Sequence, residues 1–278
     1  MKITIIYFLL LTSTTFSQNE YNSESNYYTD SIFSNSLNEY RKMNIYLPKG
    51  YKEGQSYPVI YAPDGYSIDL YEDDDHKLIL DSLINNDLIP PMIYVASFCN
   101  NRDAKDLKVF LANGDSVYYT FRNFEYVQYR ADESVDSVLH LRFDQHLTYF
   151  TEELIPSIEN QFMLPDMKEN RYFYGVSNGG GFGVNMFFKR PELIATYLCF
   201  STYGSTLEKL AWNESKIYPT IYIEYGNLES PQIYDENERI VAKCKDLKLN
   251  CHSNIYQGDH DYLIWIDKFA STLIKIFN

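Results

Sequence analysis

The chain contains no stretch close to the roughly 20 consecutive apolar residues that a membrane-spanning helix requires; its apolar run near the start, Ile3 to Leu11, is far too short. Basic residues are also scarce. With 24 Lys and Arg against 38 Asp and Glu, the net charge is -14 and the pI about 4.8. That balance excludes the basic patch on which nucleic-acid phosphates are held, so no nucleic-acid partner is expected. Only four cysteines are present, Cys99, Cys199, Cys244 and Cys251, and their spacing fits no zinc site. Cys244 and Cys251 are near enough in sequence to close a small loop in an oxidising compartment. Cys199, inside YLCFS, reads as a small buried hydrophobe. No G-x-G-x-x-G follows the first strand and no glycine-rich loop ends in Lys-Ser or Lys-Thr, which removes the usual nucleotide cradles. The acidic run Glu72 to Asp75 lacks the alternating ligand spacing of a calcium loop and reads as a solvated face.

What is present begins with MKITIIYFLLLTSTTFSQ, one basic residue, a short apolar run and small polar residues. This is the layout of a secretory signal peptide over residues 1–17, so the mature protein is expected to be exported, periplasmic or secreted. Residues 18–36, rich in Asn, Ser and Tyr, read as a polar tether. Residues 37–278 are of a size that α/β folds commonly keep as one domain.

Runs rich in β-branched and aromatic residues recur at 43–48, 57–65, 91–98, 171–177, 196–201, 219–226 and 253–260. Most are apolar on both faces, as parallel strands covered by helices must be. Helical patterns lie between them, at 76–86, 143–162, 179–190, 235–247 and 262–277. The alternation predicts an α/β fold with a mostly parallel central sheet flanked by helices. In LTYFTEELIPSIENQF, Leu147, Phe150, Leu154, Ile158 and Phe162 form one stripe that should face the sheet, with Pro156 kinking or restarting the helix. An insertion at about 100–140 breaks the rhythm. Asn113-Gly114 separates two alternating runs in it and signals a hairpin. Insertions at strand C-terminal ends are where α/β proteins place binding sites. Tyr118, Tyr119, Phe121, Phe124 and Tyr126 therefore either line a substrate cleft or pack the insertion onto the domain.

Five of the 12 glycines fall between 175 and 183, in YFYGVSNGGGFG. The order is strand, then Gly175-Val176-Ser177-Asn178-Gly179, then helix, which is the context a nucleophile elbow demands. In such a turn a serine holds a sharp backbone, and side chains two positions before and after it would collide with neighbouring elements. A serine hydroxyl needs a base. Of the two histidines after Ser177, His252 lies within a strand, whereas His260 follows the last strand and can reach the same sheet edge. The acid that would orient the imidazole is best placed at Glu229, after the strand TIYIEYG. Asp235 stands second, Glu224 should point away, and a Ser-His pair without an acid stays open. Backbone donors for an oxyanion would be the amides of Asn178 and of Tyr66, the latter after the Asp64-Gly65 turn.

Five ordered segments carry a resemblance: RKMNIYLPKGY with YPVIYAPDG, NNRD, FTEELIPSIENQF, YFYGVSNGGGFGVNMFFKRPELIA and GDHDYLIW. Together they resemble the esterase family of α/β-hydrolases, which includes esterase D, enterochelin esterase-like proteins, feruloyl and acetyl xylan esterases and mycolyltransferases. The resemblance spans about residues 40–278. It implies an α/β-hydrolase fold and a cofactor-free serine esterase acting on a small-molecule or carbohydrate ester, with acyl or feruloyl esters and siderophore lactones as candidates. The family's nucleophile falls on Ser177, its histidine on His260 and its oxyanion residue on Tyr66. Its acid is often aspartate in the turn that here reads GNLES. An acyltransferase on the same scaffold, or a binding protein that has lost turnover, are the alternatives.

Overall fold

The computed structural model describes residues 24–65, 75–110, 116–128 and 137–278. The expected signal peptide, 1–17, lies outside the described residues, as do Tyr66 and the acidic positions 72–74. In chain order the elements are β1 (Asn26–Ser34), β2 (Glu39–Leu47), β3 (Val59–Pro63), α1 (Asp75–Asn85), β4 (Ile93–Ser97), β5 (Asp103–Phe110), β6 (Ser116–Thr120), α2 (Phe121–Tyr126), α3 (Ser137–His140), α4 (Arg142–Thr148), α5 (Ile155–Gln161), β7 (Arg171–Val176), α6 (Ser177–Lys189), β8 (Thr196–Phe200), β9 (Thr220–Gly226), α7 (Pro231–Asp246), β10 (Cys251–Tyr256) and α8 (Tyr262–Phe277).

Eight strands form the central sheet in the order β1-β2-β4-β3-β7-β8-β9-β10. β2 runs antiparallel to both its neighbours, and from β4 to β10 every pairing is parallel. Side chains alternate between two cores. Val59, Tyr61, Phe173, Tyr197 and Cys199 face one core, together with residues of α4 to α7. Ile60, Ala62, Tyr174, Leu198 and Phe200 face the other, together with α1 and α8. Both faces are therefore covered, which is why these strands read as continuous apolar runs.

The tether expected over 18–36 needs correction: residues 26–34 are β1, registered along its whole length with β2. Tyr28 and Ile32 pack on the core while Asp30 and Ser34 share their face. The polar pair hides the period-two pattern in the sequence. The stripe Leu147 to Phe162 does face the sheet. Pro156 restarts the helix: a π-helical turn over Tyr149–Leu154 leads into α5, with the proline in its first turn. Proline has no N–H for the carbonyl four residues back and its ring crowds that carbonyl, and a wider turn removes the conflict. Cys244 and Cys251 are both free thiols, so no loop is closed between them.

In the insertion, β5 and β6 pair antiparallel as the Asn-Gly signal predicts, although Asn113 and Gly114 themselves lie outside the described residues. Phe124 and Tyr126 are buried and hold the insertion down, not lining a cleft. A charge network does the same. The buried Glu125 carboxylate accepts from Arg142 Nε (2.9 Å) and Nη2 (2.7 Å), from Arg41 Nη1 (3.1 Å) and from the Asn100 amide (3.1 Å). Arg41 comes from β2 and Arg142 from α4, so one carboxylate ties three parts of the chain. Buried charge of this kind is tolerated only where pairing and hydrogen bonding are this complete.

Candidate active site

The parallel strands all end at one edge of the sheet, and the loops leaving β3, β7, β9 and β10 meet there. At the end of β7 the backbone turns sharply into α6, with Ser177 at φ +54°. A Cβ at Gly175 would stand 2.6 Å from the carbonyl oxygen of Gly179, so the turn closes only around glycine. Asn178 follows in the first turn of α6, where backbone N–H groups have no partner within the helix. Its side chain is fixed, since Nδ2 donates to the carbonyl of Tyr203 at 3.0 Å.

Ser177 Oγ lies 3.0 Å from His260 Nε2, and His260 Nδ1 lies 2.8 Å from Glu229 Oε2. The Glu229 side chain is wholly buried and that of His260 about one-third exposed. A carboxylate only accepts, so Nδ1 carries the proton and Nε2 is left as the acceptor facing the serine hydroxyl. The loops bearing acid and base are laced together. Asn227 N–H donates to the Tyr256 carbonyl (2.9 Å), Leu228 N–H to the Gly258 carbonyl (2.8 Å) and Gly258 N–H to Asn227 Oδ1 (3.1 Å). The imidazole stands edge-on to the indole of Trp265, with ring centroids 4.5 Å apart. Trp265 Nε1 donates to Ser201 Oγ (2.8 Å) and to the Tyr256 hydroxyl (3.0 Å), and those two oxygens are 2.9 Å apart. Burial pushes the Tyr256 phenol up to about 12, so it stays neutral beneath the histidine.

The other acidic candidates are placed elsewhere. Asp235 is exposed on α7. Its neighbour Glu236 accepts from the amides of Gly204 (3.1 Å) and Leu207 (3.0 Å). Glu224 accepts from Asn254 and Thr272, away from the histidine. His252 stacks on Tyr222 in the outer strand, at 4.7 Å. His146 is buried, and burial together with Arg41 and Arg142 drives its pKa well below the ordinary value.

Of the aromatic lining candidates, Phe121 is covered by Arg102 (4.5 Å) and Arg142 (5.2 Å) and belongs to the packing of the insertion. Tyr119 is half-buried and packs on Phe124. Tyr203 N–H donates to the Ser177 carbonyl (3.1 Å), and burial, then the charges of Glu236 and Tyr119, raise the Tyr203 phenol's pKa, so the two tyrosines are near each other. The side chain of Tyr118 and the whole of Tyr66 lie outside the described residues. The turn before Tyr66 is defined: Asp64 has φ +63° and Gly65 N–H donates to the Ser97 carbonyl at 2.9 Å. Sequence reasoning missed Trp265, Ser201 and Asn227. Ser201 left one signal, a polar residue at the C-terminal end of a buried parallel strand. Among the described residues no cluster of His, Cys, Asp and Glu could hold a metal ion, and no helix is long and apolar enough to cross a membrane.

Residues 34–276 match the family model described as "Putative esterase". A bifunctional endo-1,4-beta-xylanase/feruloyl esterase of Xylanibacter ruminicola is 25% identical over 256 residues, which is 88% of this chain but 31% of that protein. The chain thus spans about a third of that relative. Among solved structures, a ferulic acid esterase superposes with a TM-score of 0.69 at 17% identity, covering 92% of this chain and 98% of the other. An IroE-like serine hydrolase from Shewanella oneidensis gives 0.68 at 19% identity, covering 91% and 80%. At these identities the two structures establish the shared fold.

Proposed function

This chain belongs to the Esterase family of α/β-hydrolases and is an esterase, and we propose that it is a serine carboxylic-ester hydrolase with Ser177 as nucleophile, His260 as base and Glu229 as acid. The observation that carries the assignment is the unbroken line of contacts from Ser177 Oγ through both imidazole nitrogens to the buried Glu229 carboxylate.

In the first half-reaction Ser177 Oγ bonds to the ester carbonyl carbon as its proton passes to His260 Nε2. The carbonyl oxygen becomes an oxyanion, received by the Asn178 amide with the Tyr66 amide as its expected companion. The carbon–oxygen bond to the alcohol then breaks, and the alkoxide takes the proton from Nε2. Water repeats the sequence on the acyl-enzyme: its proton goes to Nε2, its oxygen bonds to the acyl carbon, and Ser177 leaves with the proton returned. Glu229 stabilises the imidazolium formed in each half.

The substrate class follows from the company the chain keeps. The Xylanibacter relative and one of the fold neighbours carry feruloyl or ferulic acid esterase in their descriptions, which supports acyl or feruloyl groups carried on plant carbohydrate. Tyr203, next to Ser177 through its backbone N–H and partly exposed, suits an aromatic acyl group. Siderophore lactones remain the second substrate class, as the resemblance to enterochelin esterase-like proteins implies. Export through the leader at residues 1–17 would bring the enzyme to such polymers.

The test is direct. A fluorophosphonate probe should label the wild type and not Ser177→Ala, and that variant should lose at least about 10³-fold in kcat on 4-nitrophenyl acetate. Equal labelling of both proteins would remove Ser177 from the role. Release rates from methyl ferulate, acetylated xylan and a catecholate trilactone then rank the substrate classes.

A further inference from the structure

One charged residue of the insertion reaches the catalytic edge. Arg122, on α2, spreads its guanidinium across the Asp64 carboxylate, with Nε to Oδ1 and Nη2 to Oδ2 both at 2.7 Å. Its third edge turns toward α6: Nη1 points at Asn178 Oδ1 at 3.5 Å, a long contact. The two partners lie 58 and 56 positions away in sequence. Both charged side chains are mostly buried, 17% and 13% exposed. The plane of the guanidinium lies over the Tyr126 ring at 5.0 Å, and the Tyr126 hydroxyl accepts from the Asp64 amide at 3.1 Å. Asp64 is itself held in a left-handed turn, at φ +63°. Its carboxylate lies beside the start of α6, near enough that a Cβ on Gly179 would come within 3.1 Å of Asp64 Oδ2. Burial opposes the charge on Arg122, and the Asp64 carboxylate outweighs it, so the guanidinium is held firmly in its charged form.

We propose that Arg122 is a positioning residue for the oxyanion side of the site: by clamping Asp64 it wedges the first turn of α6 and so fixes the Asn178 amide. This rests on the serine-esterase reading. Its content goes further, because it makes the insertion part of the catalytic device and not only a wall beside it. A two-pronged guanidinium is suited to this task. It defines the plane and orientation of the carboxylate, which a single ammonium does not. An oxyanion donor displaced by about 1 Å costs on the order of 10²-fold in rate, and it is felt in the transition state more than in substrate binding.

The experiment compares Arg122→Gln, Arg122→Lys, Asp64→Asn and the double variant Arg122→Gln/Asp64→Asn, with Ser177→Ala as reference. Measured are kcat and KM on 4-nitrophenyl acetate per fluorophosphonate-titrated site, the Ki of phenylboronic acid as a tetrahedral mimic, and Tm. Arg122→Gln should lower kcat about 10- to 100-fold and weaken the boronate by a similar factor, with KM within about threefold. The double variant should lose no more than the worse single one, since both act through one contact. Arg122→Lys should recover only part of kcat. The proposal is overturned if kcat per titrated site is unchanged, if KM alone rises, or if the losses multiply. Should Arg122→Gln melt below the assay temperature, Arg122→Lys decides the matter, and full kcat with full boronate affinity there overturns the proposal. Activity persisting in Ser177→Ala would instead strike the underlying reading and leave a different signature from any of these.

Discussion

Two corners of the catalytic edge are built by different means. Around His260 and Glu229 the loops after β9 and β10 are laced by backbone hydrogen bonds and rest on neutral groups, the indole of Trp265 and the hydroxyls of Ser201 and Tyr256. Around Asp64 and Arg122, and behind them around Glu125, the chain is joined by side-chain charges drawn from distant segments. The first corner is assembled by adjacent strands that are neighbours in the sheet anyway. The second exists only because an insertion folds back and pairs its charges. Geometry at the first should be robust to substitution at one contact, whereas at the second the loss of one charge should tell, on the site itself at Asp64 and Arg122 and on stability at the more distant Glu125.

The largest effect expected is at the first corner but at the acid itself. Glu229→Gln should lower kcat by about 10²- to 10⁴-fold, because the amide can donate to Nδ1 and favour the wrong tautomer. A loss of under tenfold would make the pair Ser177–His260 sufficient. Next comes Glu125→Gln, which leaves the buried Arg41 and Arg142 with only the partly exposed Glu39 carboxylate between them. It should cost about 3 kcal/mol of stability, the low end for breaking a buried pair, read as a fall in urea midpoint, while kcat per titrated site stays within a few-fold.

Acid should separate the corners too. His146 has a folded-state pKa well below its unfolded value, so the folded protein binds fewer protons. Its contribution to stability is full above the unfolded value near pH 6.5 and is lost as pH falls below it. Tm should therefore drop between pH 6.5 and 5, with His146 contributing up to about 2 kcal/mol equivalent. His76, whose pKa is lowered to about 4 by desolvation, acts in the same sense, so His146→Phe should make that part of the curve shallower and His146→Phe with His76→Phe should flatten it. The smallest effect should come from Trp265→Phe. Ser201 and Tyr256 keep each other as partners, so about 1 kcal/mol is expected, with KM unaltered in steady-state kinetics.

The same contrast governs what could be read from the sequence. Ser177 and its glycines are a local pattern, and His260 and Glu229 fall directly after the last two strands, so chain order alone put them on one edge. The register of β1 was hidden because Asp30 and Ser34 sit on its core-facing side. Arg122 was not legible at all, since nothing near residue 122 announces a partner 58 positions away. The insertion's aromatics were ambiguous for a related reason. Phe124 and Tyr126 are buried while Tyr119 is only half-buried, and a tyrosine-rich run looks the same in either arrangement.

The turn at Ser177 has one further consequence. A side chain held at φ +54° is unfavourable by roughly 1 kcal/mol for any residue but glycine. The protein is therefore less heat-tolerant than its own fold permits, and Ser177→Gly should yield a protein that is inert yet melts higher. With Ser177 as the proposed nucleophile, thermal hardiness and turnover are opposed at this one backbone angle, so a screen that selects only for survival on heating would drift toward discarding that serine.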